Sequence, residues 1–83
     1  MAEREEIFAA IKEQLSGRGI DEDKIKPEAS LQGDLGLDSL DAVEMASDLE
    51  ERFGIEIPDT ELENVETIGD TIELIGPKVG ASA

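Results

Sequence analysis

Residues 38–54 read DSLDAVEMASDLEERFG, and this stretch decides the fold that the sequence predicts. Placed on a helix at about 100° per residue, its apolar side chains fall on one stripe. Such a stripe is typical of an amphipathic helix that packs against a core. The stripe consists of Ala42, Met45, Ala46, Leu49 and Phe53.

Both ends of this helix are marked by capping residues. Asp38 is a favourable N-cap, and Asp41, three residues later, resembles the acidic partner of a capping box. Gly54 follows the last apolar residue, where a left-handed glycine commonly ends a helix. We therefore predict a helix over residues 39–53, with Ser39 in its first turn and the Ser39 hydroxyl not needed for capping.

A first helix is predicted over residues 3–16, because its apolar residues recur at helical spacing. Glycines follow it, and residues 20–37 then form a long connection that apolar side chains pin to the core. Such a connection lets two helices run in a similar direction, and it has room for a short helical turn. The apolar residues are Ile7, Phe8, Ile11 and Leu15 in the helix, and Ile20, Ile25, Leu31, Leu35 and Leu37 in the connection.

Two more helices are predicted near the end of the chain. A short one over residues 59–63 begins with Asp59 as its cap. A longer one over residues 67–75 begins at Thr67, with Asp70 three residues later as in a capping box.

The last residues set the end of the bundle. Gly76 and Pro77 should stop the fourth helix, so residues 76–83 are predicted to fray. The sequence therefore predicts an all-α fold, a small four-helix bundle with three longer helices, one short third helix and a long first connection. Residues 1–83 are expected to form a single domain.

Composition limits the chemistry that the chain can perform. The chain has 83 residues with 22 acids, 7 bases and a net charge of −15, and it contains neither Cys nor His. Any thiol must therefore come from outside, and Ser-His catalysis is excluded. So negative a chain should not bind nucleic acid electrostatically.

The acidic residues are concentrated in residues 38–76, where Arg52 is the only base. This distribution indicates either a face that meets basic partners or a solvated surface. The longest apolar run near the start is Ile7 to Ile11, too short to cross a membrane. We predict a monomeric cytoplasmic protein with no membrane span and no metal site.

The outer side of the helix over residues 39–53 carries a second pattern. Leu40 and Glu44 fall opposite the core stripe, and Val43 lies on the flank. An exposed Leu and Val inside an acidic rim form a contact patch for a basic partner with a shallow apolar pocket. The other interpretation is that the long connection partly buries Leu40.

Ser39 lies beside this patch at a helix start, where free N–H groups and the helix dipole favour an anion. A phosphate ester would be stabilised there. On the residues alone, an ordinary first-turn serine is the more common interpretation.

Residues 34–41, DLGLDSLD, resemble the phosphopantetheine attachment motif of acyl carrier proteins. The resemblance covers about residues 3 to 75 and includes the GIEIPD link at 54–59 and the TIGD sequence at 67–70. It is closest to free-standing carriers of dissociated fatty-acid or polyketide synthases. The chain departs from the family pattern at residues 16–19, which make the region after the first helix slightly longer than usual, and at Ser47 and Asp48.

The resemblance implies a carrier that is not itself an enzyme. A phosphopantetheinyl transferase attaches 4′-phosphopantetheine from coenzyme A to Ser39, and Asp38 helps hold the metal of the transferase complex. The arm carries acyl thioesters to acyltransferases, ketosynthases, reductases and dehydratases with basic docking patches, and the bundle interior can shelter the acyl chain. The residues expected to meet partners are Leu40, Asp41, Val43, Glu44, Ser47, Asp48, Glu50 and Glu51.

Three other functions compete with the carrier interpretation. An enzyme with Ser39 as nucleophile would need a His and a Gly-x-Ser-x-Gly elbow around that serine, and the sequence has neither. A calcium-binding module lacks the alternating ligands of an EF-hand loop, which leaves only weak cation binding. An acidic adaptor without a prosthetic group stays open, and pantetheinylation distinguishes it from a carrier.

Overall fold

The computed structural model of the protein describes residues 2–82, and the side-chain environments of residues 4–80. Within them lie four α-helices and a short 3-10 turn, and an isolated bridge between Ser30 and Thr67 is the only extended pairing. The predicted all-α bundle with a short third helix is confirmed. None of the described helices is long and apolar enough to span a membrane. The helices are α1 (Ala2–Gly17), α2 (Ser39–Phe53), α3 (Asp59–Leu62) and α4 (Ile68–Ser82), and the 3-10 turn is Glu22–Lys24.

The core is almost entirely aliphatic. The predicted stripe of α2 is confirmed at its centre, where Met45, Ala46 and Leu49 are buried, while Phe53 at its end is partly buried. The long connection contributes as much to the core as a helix does, because its apolar side chains turn inward. The other buried apolar residues are Ile7, Ala10, Ile11, Leu15, Ile25, Ala29, Leu31, Leu35, Leu37, Ile55, Ile57, Ile68, Ile72, Ile75 and Val79.

Backbone hydrogen bonds fasten the long connection to the start of α4. The Leu31 N–H donates to the Glu66 carbonyl at 2.9 Å, and the Gly69 N–H donates to the Pro27 carbonyl at 2.7 Å. A Cβ at Gly69 would lie 3.0 Å from the Pro27 oxygen, so this close approach favours glycine. The connection is therefore an ordered part of the bundle.

The start of α4 is capped as the sequence predicts. The Asp70 N–H donates to Thr67 Oγ1 at 3.0 Å, and the Thr67 N–H donates to Asp70 Oδ2 at 3.2 Å. These reciprocal bonds satisfy two donors that a helix start leaves unpaired.

The predicted end of α4 at Ile75, with residues 76–83 frayed, is wrong where the structure describes it. The helix continues through Pro77 to Ser82, and Ala83 lies outside the described residues. Proline fits helical φ but removes one backbone donor, which disfavours it inside a helix.

Two tertiary contacts hold the last turns of α4 and outweigh this local cost. Val79 is buried in the core, with 9% of its surface exposed. Lys78 forms an ion pair with Glu61 of α3 at 3.2 Å. Packing of the helix face therefore decides its length, as it commonly does in proteins.

The predicted N-cap of α3 is also wrong. The N-cap position belongs to Pro58, which is extended (φ −60°, ψ 143°) and forms no side-chain cap, and Asp59 is the first helical residue. Proline fits the extended conformation of an N-cap residue, so the helix begins one residue earlier than it would with Asp59 as the cap. In the first turn, the Asp59 carboxylate still complements the helix dipole.

Candidate functional site

A tight turn before α2 orients the start of that helix. Leu35 and Leu37 are both buried. Only Gly36 separates them, so the chain must turn sharply for both side chains to face the core. Gly36 makes this turn with φ of +68°, a conformation that favours glycine. The Asp34 carboxylate stabilises it by accepting from the Ser30 N–H at 2.8 Å.

Asp38 and Asp41 form the predicted capping box at the start of α2. Asp38 Oδ1 accepts from the Asp41 N–H at 2.9 Å, and Asp41 Oδ2 accepts from the Asp38 N–H at 3.3 Å. Ser39 is the next residue after the cap, and its side chain is exposed. Its hydroxyl makes no hydrogen bond to any residue in the described part of the chain. The sequence-based prediction that Ser39 is not needed for capping is therefore confirmed.

Two backbone donors remain available next to this hydroxyl. The Asp41 N–H is used by the Asp38 side chain and the Ala42 N–H by the Asp38 carbonyl at 3.0 Å. The N–H groups of Ser39 and Leu40 have no acceptor within residues 2–82. Together with the positive end of the helix dipole, they fit a phosphate group attached to the Ser39 oxygen.

A cleft of about 620 Å³ opens beside Ser39, between the connection, α2 and α3. Apolar side chains line much of its wall, and Asp59, Glu63 and Glu66 add carboxylates. The cleft could not be predicted from the sequence, because residues far apart in the chain form it. The apolar lining residues are Leu31, Leu37, Ala42, Val43, Leu62 and Val65.

The outer side of α2 presents an apolar pair to solvent. Leu40 is 66% exposed and Val43 is 39% exposed. The interpretation that the connection covers Leu40 is therefore wrong, and the helical-wheel prediction is confirmed. Carboxylates surround the pair, so the arrangement is a small apolar patch inside an acidic rim.

Part of the acidic rim already has a partner within the chain. Arg18 donates from Nη1 to Asp41 Oδ1 at 2.7 Å and from Nη2 to Glu44 Oε1 at 2.5 Å. This guanidinium, with help from the Asp38 backbone, holds the pKa of the Asp41 carboxyl below its ordinary value. No local sequence pattern indicates this role of Arg18, which lies 23 residues before Asp41.

Glu50 has an internal role as well. Its Oε2 accepts from the Ile57 N–H at 2.6 Å, which shapes the link that follows α2. Gly54 ends that helix in the left-handed conformation, with φ of +65° and its N–H donating to the Glu50 carbonyl. Of the predicted partner residues, those that face solvent without an ion pair or hydrogen bond within the described chain are Leu40, Val43, Ser47, Asp48 and Glu51.

Comparison with known proteins identifies the family. Residues 6–75 match the family described as phosphopantetheine attachment site. The chain is 44% identical over 81 residues to an acyl carrier protein of Thermotoga maritima, which covers 96% of this chain and 100% of that protein. It is 47% identical over 77 residues to an acyl carrier protein of Thermosynechococcus vestitus, which covers 93% of this chain and 91% of that protein.

The chain belongs to the acyl carrier protein family. It is therefore a carrier rather than an enzyme, with a covalently attached 4′-phosphopantetheine group. That group supplies the thiol, absent from the chain's own sequence, that holds acyl groups as thioesters.

Family membership also decides between the functions that the sequence left open. The interpretations of the chain as a serine enzyme and as an adaptor without a prosthetic group are wrong. Its function is that of an acyl carrier rather than that of a cation-binding module. An acyl carrier protein acts with a phosphopantetheinyl transferase and with synthase enzymes.

Proposed function

We propose that Ser39 is the attachment residue and that the carrier presents acyl groups to enzymes of fatty-acid or polyketide biosynthesis. The observation that carries this proposal is the division of roles at the start of α2. Asp38 caps the helix, so the exposed Ser39 hydroxyl is left without an internal partner. In a serine that capped the helix itself, the same oxygen would have to accept the capping hydrogen bond and carry the phosphate.

The surrounding groups have matching roles. The unpaired N–H groups of Ser39 and Leu40, at the positive end of the helix, stabilise the phosphate of the attached arm. Asp38 uses Oδ1 for capping, whereas its Oδ2 accepts no hydrogen bond within residues 2–82. Oδ2 is therefore available to contact the metal in the transferase complex.

The cleft beside Ser39 is the proposed place for the first part of the acyl chain. Six apolar side chains line it, and burial of each CH₂ group against them is worth about 0.8 kcal/mol. Because the cleft opens next to Ser39, an attached chain can reach it without unfolding the bundle. Partner enzymes must draw the chain out of the cleft before they can react with it.

The outer side of α2 is the proposed surface for partners. Leu40 and Val43 supply apolar contact, while the carboxylates around them attract basic docking patches on acyltransferases, ketosynthases, reductases and dehydratases. One continuous side of the helix carries the predicted partner residues that remain solvent-facing. Asp41, Glu44 and Glu50 lie at its rim. The cytoplasmic location, the monomeric state and the single domain stay predictions from the sequence.

Site-specific labelling tests the attachment residue. Incubation with coenzyme A, Mg²⁺ and a broad-specificity transferase should add one phosphopantetheinyl group, and peptide mapping should place it on Ser39. Ser39→Ala should remain unlabelled with an unchanged melting temperature, because the hydroxyl makes no internal hydrogen bond. Ser47→Ala, which changes an exposed serine on the same helix, is the matched control for the attachment residue and should reach full labelling at the end point, whatever its effect on the labelling rate. Label on Ser47 or full labelling of Ser39→Ala would contradict the proposal.

The pathway is tested by intact-mass measurement of carrier isolated from its source. Fully reduced acyl chains on the carrier support fatty-acid synthesis. Chains that retain keto or hydroxyl oxygens at regular intervals support polyketide synthesis.

A further inference from the structure

Arg18 lies in an ordered turn at the end of α1. Its N–H donates to the Leu15 carbonyl at 3.1 Å, and the Ile20 N–H donates to the same carbonyl at 3.1 Å. Gly19 follows with φ of +92°, a conformation that directs the chain away from the helix. The backbone is therefore held where the side chain can cross to the start of α2.

The side chain of Arg18 fills a site with two carboxylates. Asp41 and Glu44 are three residues apart on α2, so their side chains are neighbours on one face of the helix. One terminal nitrogen of the guanidinium contacts Asp41, and the other contacts Glu44. The planar fork of an arginine can bridge both acids at once, whereas a lysine ammonium is a single point of charge.

The same two acids belong to the proposed partner surface. They lie next to exposed Leu40 and Val43 and within one turn or so of Ser39. Any protein that reaches Ser39 must therefore come close to this ion pair. The arrangement of Arg18 shows which side chain the site accepts, namely an arginine that bridges two carboxylates.

We infer that Arg18 occupies the place of a partner's arginine, so that docking of a basic protein at the start of α2 requires displacement of Arg18. The inference rests on the proposed partner surface and refines it. Two ion pairs within the chain are exchanged for two between proteins, and the net gain is smaller than the charge of the rim suggests. Partners whose basic groups reach only the free acids, Asp48 and Glu51, avoid this exchange. Arg18 thus favours one class of docking surface over another.

Ion pairs of this kind are easily exchanged. The Arg18 side chain is 37% exposed, and those of Asp41 and Glu44 are 30% and 53% exposed. Exposed pairs are worth little individually, and a competing pair changes an affinity by about two- to fivefold. Removal of Arg18 should therefore strengthen docking by a similar factor without unfolding the bundle.

Transferase kinetics on the unmodified carrier test the inference. The probe is the broad-specificity transferase with coenzyme A and Mg²⁺, because it must dock over Ser39. At about 50 mM NaCl, Arg18→Gln should lower the KM for the carrier by about two- to fivefold and leave kcat unchanged. Arg18→Lys should fall between the parent and Arg18→Gln. The difference should largely disappear at about 0.5 M NaCl, where exposed charges are screened.

Lys26→Gln is the matched control for net charge. It removes one positive charge from an exposed side chain that forms no ion pair within the described residues, and it should change KM by less than about 1.5-fold. In a Glu44→Gln background, the effect of Arg18→Gln should shrink, because one of the two competing acids is gone.

Several results would overturn the inference. An unchanged KM for Arg18→Gln would mean that Arg18 does not compete with the partner. An equal fall in KM for Lys26→Gln would mean that net charge alone is responsible. A change in kcat with KM constant would assign Arg18 to positioning the start of α2. These outcomes are distinct from failure of the proposed attachment site, which would leave the parent unlabelled at Ser39.

Discussion

Truncation of Leu49 should remove a large part of the folding free energy. Leu49 is fully buried, with 0% of its surface exposed. Leu49→Ala removes three carbon atoms, worth about 2.4 kcal/mol in transfer from water, and leaves a cavity that brings the total to about 3 to 5 kcal/mol. In a domain of this size each kcal/mol shifts the melting temperature by about 4 to 8 °C. We expect a fall of about 10 °C or more, measured by circular dichroism on the unmodified carrier.

Leu40→Ala removes the same atoms from the opposite side of α2 and is the matched control. Leu40 is 66% exposed, so the change should cost about 0.5 kcal/mol or less. It should instead slow acyl loading of the modified carrier by a partner enzyme, through faster dissociation. If Leu40→Ala lowered the melting temperature as much as Leu49→Ala, the orientation of α2 described here would be refuted.

Two further predictions concern the start of α2. Asp38→Ala should destabilise the fold by about 1 kcal/mol through loss of the cap. Asp38→Asn should keep the cap and the melting temperature but slow pantetheinylation, because it loses a metal-binding oxygen. Equal labelling rates for Asp38→Asn and the parent would exclude that metal contact. The Asp41 carboxyl should titrate below its ordinary pKa in NMR, because Arg18 and then the Asp38 backbone donate to its charged form. Since the folded-state pKa is the lower one, this stabilisation is complete above about pH 4 and is lost as the pH falls through the folded-state pKa. Arg18→Gln should raise that pKa, and an unchanged titration would contradict the ion pair.

Features that depend on neighbouring residues could be predicted from the sequence. Capping by Asp38 and Asp41, the left-handed Gly54 and the alternation of buried and exposed positions on α2 each need only a few consecutive residues. The exposure of Ser39 follows from the same local chemistry, because Asp38 takes the capping role. The fold class and the start of the candidate site were therefore accessible.

Features that depend on distant contacts could not be predicted. Pro77 is a local reason to end a helix, yet burial of Val79 extends α4 beyond it. The bond from the Ile57 N–H to Glu50 and the ion pairs of Arg18 join residues that approach only after folding. Long flexible side chains carry no periodic signal, so their partners appear only in three dimensions.

The exposure of Leu40 within a ring of acids has a consequence for contacts between identical copies. An exposed leucine would ordinarily promote self-association, because two such side chains gain by leaving water together. Two copies that met through Leu40 would also bring their carboxylates face to face, in a protein whose net charge is −15. The surrounding charge therefore disfavours contact of Leu40 with another copy of the chain and favours its contact with a positively charged surface. At high salt this discrimination weakens, and the same leucine becomes available to any apolar neighbour.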